Sequence, residues 1–241
     1  MAKRKIRAKA TKKTQQRGGL SPDKYLNDDQ LKKVRRYAKD RADLARMRGS
    51  SRAVMDELLV ELLVNTGLRA SELCDLNIAD LPITHGKSSV WVRDGKGKVS
   101  RAIDISEKLQ KRLERFVKLH RKGASADDPL LVSEQGGRMQ YRSVYGKIKS
   151  VGQKAGIKLH PHMLRHTYLT RLYNVEKDLR FVQDQAGHAS PTTTAIYAKT
   201  NNTARKRQVE ALTLCASSFY TLHPSELRNT EAKAGTKVND T

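Results

Sequence analysis

The densest apolar run, Leu58-Leu59-Val60-Glu61-Leu62-Leu63-Val64, lies between Ser51 and Gly67, and with Val54 it places Leu58, Leu59, Leu62 and Leu63 at helical spacing. It predicts a core helix that Gly67 can end. Glu61 interrupts the run, which is far short of the roughly 18 to 20 apolar residues a membrane-spanning helix needs. The amino end carries no apolar signal-peptide core after its basic start. On either side the chain is far more polar. Lys and Arg number 48 against 25 Asp and Glu, for a formal net charge of +23. An excess of that size implies a polyanionic partner, with nucleic acid the leading candidate. Cys74 and Cys215 stand 141 positions apart in no CxxC pattern, which argues against a zinc framework or disulfide scaffold and for a reducing, cytoplasmic compartment.

Residues 1–22 hold Lys3, Arg4, Lys5, Arg7, Lys9, Lys12, Lys13 and Arg17 and no acid. Without periodic apolar positions this segment reads as a disordered, phosphate-binding arm. Removing its +8 leaves +15 on the remainder, so the body must itself present a positive face. After Ser21-Pro22-Asp23, a loosely amphipathic helix is expected over 27–48, capped by Asn27 or Asp28. A short helix follows over Ser71–Leu76, then a turn at Leu81-Pro82. The period changes next. Val90-Trp91-Val92 and Val99–Ile105 are β-rich and flank Asp94-Gly95-Lys96-Gly97-Lys98, a hairpin signal and the only clear strand pair. Helices return at 107–122, 142–154, 162–174 and 178–186. Ser190-Pro191 starts another that carries Thr192 to Tyr197. A last helix over 202–219 and a polar end over 229–241 complete the reading. The expected class is mainly α (α+β), with one small antiparallel sheet.

Several catalytic devices are missing. No GxxxxGK[ST] loop is present, and Gly95-Lys96-Gly97-Lys98 sits in a turn that enters no helix, which leaves no nucleotide cradle. His160, His162 and His166 lack a further ligand at metal-site spacing, so no metal or other cofactor is expected. What remains is a set of cations around one late tyrosine: Arg69 with Glu72 three positions on, Lys96 in a turn, His162 with Arg165 three positions on, His188, then Tyr197. Any one of these alone reads as a solvated charge or a packing aromatic. Their order in the chain makes the case.

Asn65-Thr66-Gly67-Leu68-Arg69-Ala70-Ser71-Glu72-Leu73 resembles the first box of the tyrosine recombinases, the phage integrase family. His162-Met163-Leu164-Arg165-His166-Thr167 resembles its HxLRHT box. Ala186-Gly187-His188 with Thr192 to Tyr197 resembles the closing box, including the nine-residue step from 188 to 197. Ala186 stands where Leu is usual, a departure that bears on packing. The resemblance covers residues 24–200, so the expected organisation is a basic tail (1–22), a catalytic domain (23–200) and a carboxyl segment (201–241) that could dock on a neighbouring protomer or in cis. Too little chain precedes Arg69 for the separate core-binding domain of most members, and the likeness is to single-domain members.

The resemblance implies a site-specific recombinase. A tyrosine oxygen attacks a DNA phosphodiester, a 5′ hydroxyl leaves, and a 3′ phosphotyrosine conserves the bond energy without ATP or metal. Tyr197 would be that nucleophile. Arg69 and Arg165 suit the nonbridging oxygens with planar forks, where removing one donor typically costs about 2.7–4 kcal/mol. An unperturbed phenol pKa of about 10 calls for an acceptor, and His162 is the candidate. Lys96 would protonate the leaving oxygen, His188 would donate to the phosphate, Glu72 would orient the cations, and Lys98 would join the DNA contacts. The expected partners are double-stranded DNA and a homotetramer assembled on it, with a DNA-bending accessory protein possible. Two rivals keep the fold: a non-cleaving DNA-binding regulator and a tyrosine-type topoisomerase. A basic ribosome-associated protein is a third.

Overall fold

The structure, a computed structural model, describes residues 20–200 except 87, 94–99 and 189. The helix α1 (Asp28–Met47) opens on a capping box: the Asn27 side chain accepts from the Gln30 N–H at 2.8 Å, and Gln30 Oε1 accepts from the Asn27 N–H at 3.1 Å. The central α2 (Arg52–Thr66) is buried nearly all round. It packs against α1, α5 (Glu107–His120), α6 (Tyr141–Lys154) and α7 (Pro161–Glu176). Its two buried glutamates are covered by arginines from neighbouring helices. Arg35 grips Glu61 bidentately at 2.7 and 2.6 Å, and Arg46 and Arg112 close on Glu57 from either side. A buried carboxylate is tolerated only with such partners, and here the partners also fix α1 and α5 onto α2.

The short α3 (Ala70–Asp75) follows Gly67, and Pro82 opens the one-turn α4 (Pro82–His85) where the sequence suggested only a turn. The strands β1 (Ser89–Val92) and β2 (Arg101–Asp104) pair antiparallel, Ser89 opposite Asp104 and Val92 opposite Arg101. They are the only sheet among the described residues. The mainly helical class with one small antiparallel sheet is as expected. The helix α7 starts at Pro161, capped by His160, whose Nδ1 accepts from the Met163 N–H at 3.3 Å. Asp178 caps α8 (Leu179–Ala186), and Pro191 opens α9 (Pro191–Thr200). The expected basic arm of 1–22, apart from its last residues, and the segment 201–241 lie outside the described residues.

Two apolar clusters result. The larger is centred on α2, and the smaller joins Leu169, Val182, Ala186 and Tyr197 from α7, α8 and α9. The junction after α2 positions both. Gly67 ends α2 at φ +63°, and a Cβ there would lie 2.3 Å from the Tyr168 ring. Gly67→Ala therefore carries about 1–2 kcal/mol for left-handed backbone and about 1–3 kcal/mol for overpacking. The expected result is a thermal midpoint several degrees lower in a melting curve, and an unchanged midpoint would contradict the contact.

Candidate active site

Three segments distant in sequence meet: the α2–α3 junction, the first half of α7 and the α8–α9 junction. Arg69 sits at the amino end of α3. Its N–H donates to Glu72 Oε2 at 2.8 Å, its Nη1 to Glu72 Oε1 at 2.6 Å, and its Nη2 to the Gly187 carbonyl at 3.3 Å. The side chain remains 31% exposed. Arg165, on α7, is 3% exposed. Its Nη1 donates to the Gly67 carbonyl at 2.5 Å and its Nη2 to the Ala186 carbonyl at 2.6 Å. These carbonyls end α2 and α8, so the guanidinium closes the negative ends of two helices at once. Burial, then the neighbouring Arg69, lowers Arg165 to about 10, which still leaves it cationic at neutral pH.

The same Nη2 lies 3.2 Å from His188 Nε2. A guanidinium only donates, so Nε2 must accept and the imidazole proton resides on Nδ1, 3.0 Å from the Thr194 hydroxyl. Burial, reinforced by Arg165, Arg69 and Arg101, holds His188 at about 4, so it is neutral at pH 7. Glu72 is pushed up by burial, but bonds and charge from Arg101, then Arg69, outweigh that and hold it at about 2.

Tyr197 is only 1% exposed, and its phenol lies 2.8 Å from His166 Nδ1. Burial raises the phenol to about 12, against the pull of Arg165 and Arg69. Burial, then His162 and Arg165, lowers His166 to about 3, leaving a neutral ring at pH 7. The ring of His188 lies parallel to that of Tyr197, centroids 6.4 Å apart.

Arg69, Glu72, Arg165, His188 and Tyr197 are thus brought together. His162 is close by, its ring edge-on to His166 at 4.1 Å, but the phenol's partner is His166. The expected acceptor, His162, thus lies one helical turn from the ring that the phenol meets. Positions 162 and 166 share a helix face, so spacing could not separate them, and the ring one turn further along α7 is the one α9 reaches. His188, the expected donor to the phosphate, has its Nδ1–H facing Thr194 and its Nε2 against Arg165. Lys96, Lys98 and the tail residues Lys3, Arg4, Lys5, Arg7, Lys9, Lys12, Lys13 and Arg17 lie outside the described residues. Sequence reasoning missed Arg101, which joins the cluster from β2. The one available signal was an arginine opening a strand straight after the glycine-rich turn. Among the described residues, no group of three or more His, Cys, Asp or Glu could hold a metal ion.

The neutral histidines predict a pH response. Unfolded, they take up protons below about 6.5, whereas folded His188 and His166 resist until about 4 and about 3. Their contribution is fully present above pH 6.5 and lost as pH falls toward 4. The thermal midpoint should drop over that range, before the Glu72 carboxylate titrates. A flat profile there would contradict neutral, enclosed imidazoles.

Helices so arranged around the strand pair of β1 and β2, with a tyrosine of α9 set against paired arginines, define the catalytic domain of a tyrosine recombinase. Solved structures agree. The crystal structure of XerA recombinase aligns with TM-score 0.59 and 28% identity over 89% of this chain and 64% of that one. XerH site-specific recombinase bound to difH substrate aligns with TM-score 0.59 and 27% identity over 73% and 50%. The chain belongs to the phage integrase family, whose sequence profile matches residues 24–204. Tyrosine recombinase XerC of Pseudomonas syringae pv. tomato is 40% identical over 143 residues, 59% of this chain and 47% of that protein. The chain thus spans about half the length of the curated relatives it matches.

Proposed function

We propose that the chain is a site-specific DNA recombinase that cuts and rejoins strands through a 3′ phosphotyrosine on Tyr197, using neither ATP nor metal. The observation carrying this reading is the proximity of one phenol, two histidines of α7 and two arginines on a protein of net charge +23. His162 is the proposed acceptor of the phenolic proton as the oxygen bonds to phosphorus, and His166, one turn along α7, holds the phenol in the resting arrangement. The bond to the 5′ oxygen breaks, and that oxygen leaves as a hydroxyl once protonated, the role proposed for Lys96. Arg69 and Arg165 hold the nonbridging oxygens, where charge builds in the transition state. Electrostatic gain there exceeds that in the ground state, which is what accelerates the step. With the phenol 1% exposed, α9 must shift to deliver it to a phosphate.

The family's chemistry further supports four protomers on two duplexes, a DNA-associated chain in the cytoplasm, and a basic amino-terminal arm that tracks phosphates. The deciding experiment maps DNA that the chain traps covalently in cells and rebuilds that sequence as a nicked suicide duplex. An adduct through Tyr197 followed by recombinant joints supports recombination. An adduct with relaxation but no joints supports a topoisomerase. Binding without any adduct supports a regulator.

A further inference from the structure

The helix α8 ends in three successive carbonyls, each accepting from a different arginine. Gln185 O receives Arg101 Nε at 3.3 Å, Ala186 O receives Arg165 Nη2, and Gly187 O receives Arg69 Nη2. Arg101 is the member that the sequence boxes do not contain. Its side chain, 13% exposed, also meets Glu72 with two bonds, Nη1 to Oε1 at 3.2 Å and Nη2 to Oε2 at 2.9 Å. The same carboxylate holds Arg69. The Arg101 guanidinium lies flat against Gly187: a Cβ there would fall 2.6 Å from Nη1 and 2.7 Å from Cζ.

We propose that Arg101 is a positioning residue for strand cleavage, fixing the Glu72 carboxylate and the α8–α9 turn so that Arg69, Arg165 and His188 keep their places around the phosphate. The assignment rests on the recombinase reading above. One carboxylate serves three guanidiniums, since Glu72 Oε2 also lies 4.0 Å from Arg165 Nη1. With Arg101 in place, it and Arg69 each supply two of the carboxylate's hydrogen bonds. Without it, Glu72 is free to close on Arg165 and neutralise a charge the transition state needs. The turn carrying His188 loses its packing surface at the same moment. Lysine keeps the charge but cannot make two parallel bonds to Glu72 and a third to Gln185 O.

The test is a double-mutant cycle on the full chain, Arg101→Ala with Glu72→Gln, read as single-turnover cleavage of the suicide duplex rebuilt from trapped DNA. Arg101→Ala should slow cleavage at saturating duplex by about 10- to 100-fold, the scale of a misplaced catalytic group. The half-saturating duplex concentration should move by less than about threefold. In the Glu72→Gln background the same change should add no more than about threefold, because both substitutions act through one contact. Arg101→Lys should restore part of the rate. If Arg101→Ala does not fold, judged by its melting curve, Arg101→Lys with Glu72→Gln supplies the cycle, and the same non-additivity is required. Equal losses in both backgrounds, or wild-type cleavage by the variant, would overturn the assignment and leave the recombinase reading standing. A wild-type chain that forms no Tyr197-dependent adduct would overturn both.

Discussion

Tyr197→Phe should abolish covalent capture of DNA while leaving the fold and noncovalent binding nearly intact. The ring is retained, so contacts with Leu169, Val182 and Ala186 persist. What disappears is one hydroxyl and its bond to His166 Nδ1. A hydrogen bond of that kind contributes about 0.5–1.5 kcal/mol net, which for a domain of this size lowers the melting midpoint by only a few degrees. The chemistry has no such reserve, because the oxygen lost is the proposed attacking atom. Tyr168 is placed differently, its hydroxyl donating to Gln185 Oε1 at 3.4 Å. Adduct formation on the suicide duplex is read on a denaturing gel, and the modified peptide by mass spectrometry. An adduct that persists in the variant would assign the nucleophile elsewhere.

Arg165→Ala is expected to damage stability and cleavage together. Its guanidinium satisfies the Gly67 and Ala186 carbonyls where water has little access, and each one left unpaired costs about 1–3 kcal/mol. Against a typical total of about 5–15 kcal/mol, the variant should melt well below the wild type. Cleavage should fall by at least about 10²–10³, the usual cost of removing a donor to developing charge. Arg69→Ala provides the contrast. Its side chain is 31% exposed and its only backbone carbonyl bond is a 3.3 Å one, so it should lose comparable cleavage with a much smaller shift in melting. Equal melting curves for the two variants would mean that the helix-end carbonyls find other partners when Arg165 is absent.

The elements most legible in the sequence were those set by local chemistry. Asn27 and Gln30 cap α1 through their own backbone, and Gly67 and Pro191 mark helix ends through the dihedral freedom or restriction each brings. The catalytic boxes were legible because three of them occur in order. Contacts made only in three dimensions were hidden. Glu61 looked like a break in an apolar run and proves to be buried against Arg35, 26 positions away in sequence. The phenol's choice of His166 over His162 depends on where α9 lands along α7. Nothing local marks Arg101, because its partners at 72, 185 and 187 approach only after the chain has closed.

The α8 terminus also constrains how this region can vary. Each residue added to or removed from a helix turns everything beyond it by about 100°, so a single insertion or deletion within α8 would point three backbone oxygens away from all three guanidiniums together. Exposed side chains of α8, such as Arg180 and Asp184, are free to drift so long as its length is kept. Lineages derived from this chain should therefore tolerate substitution there far better than a change of one in residue number.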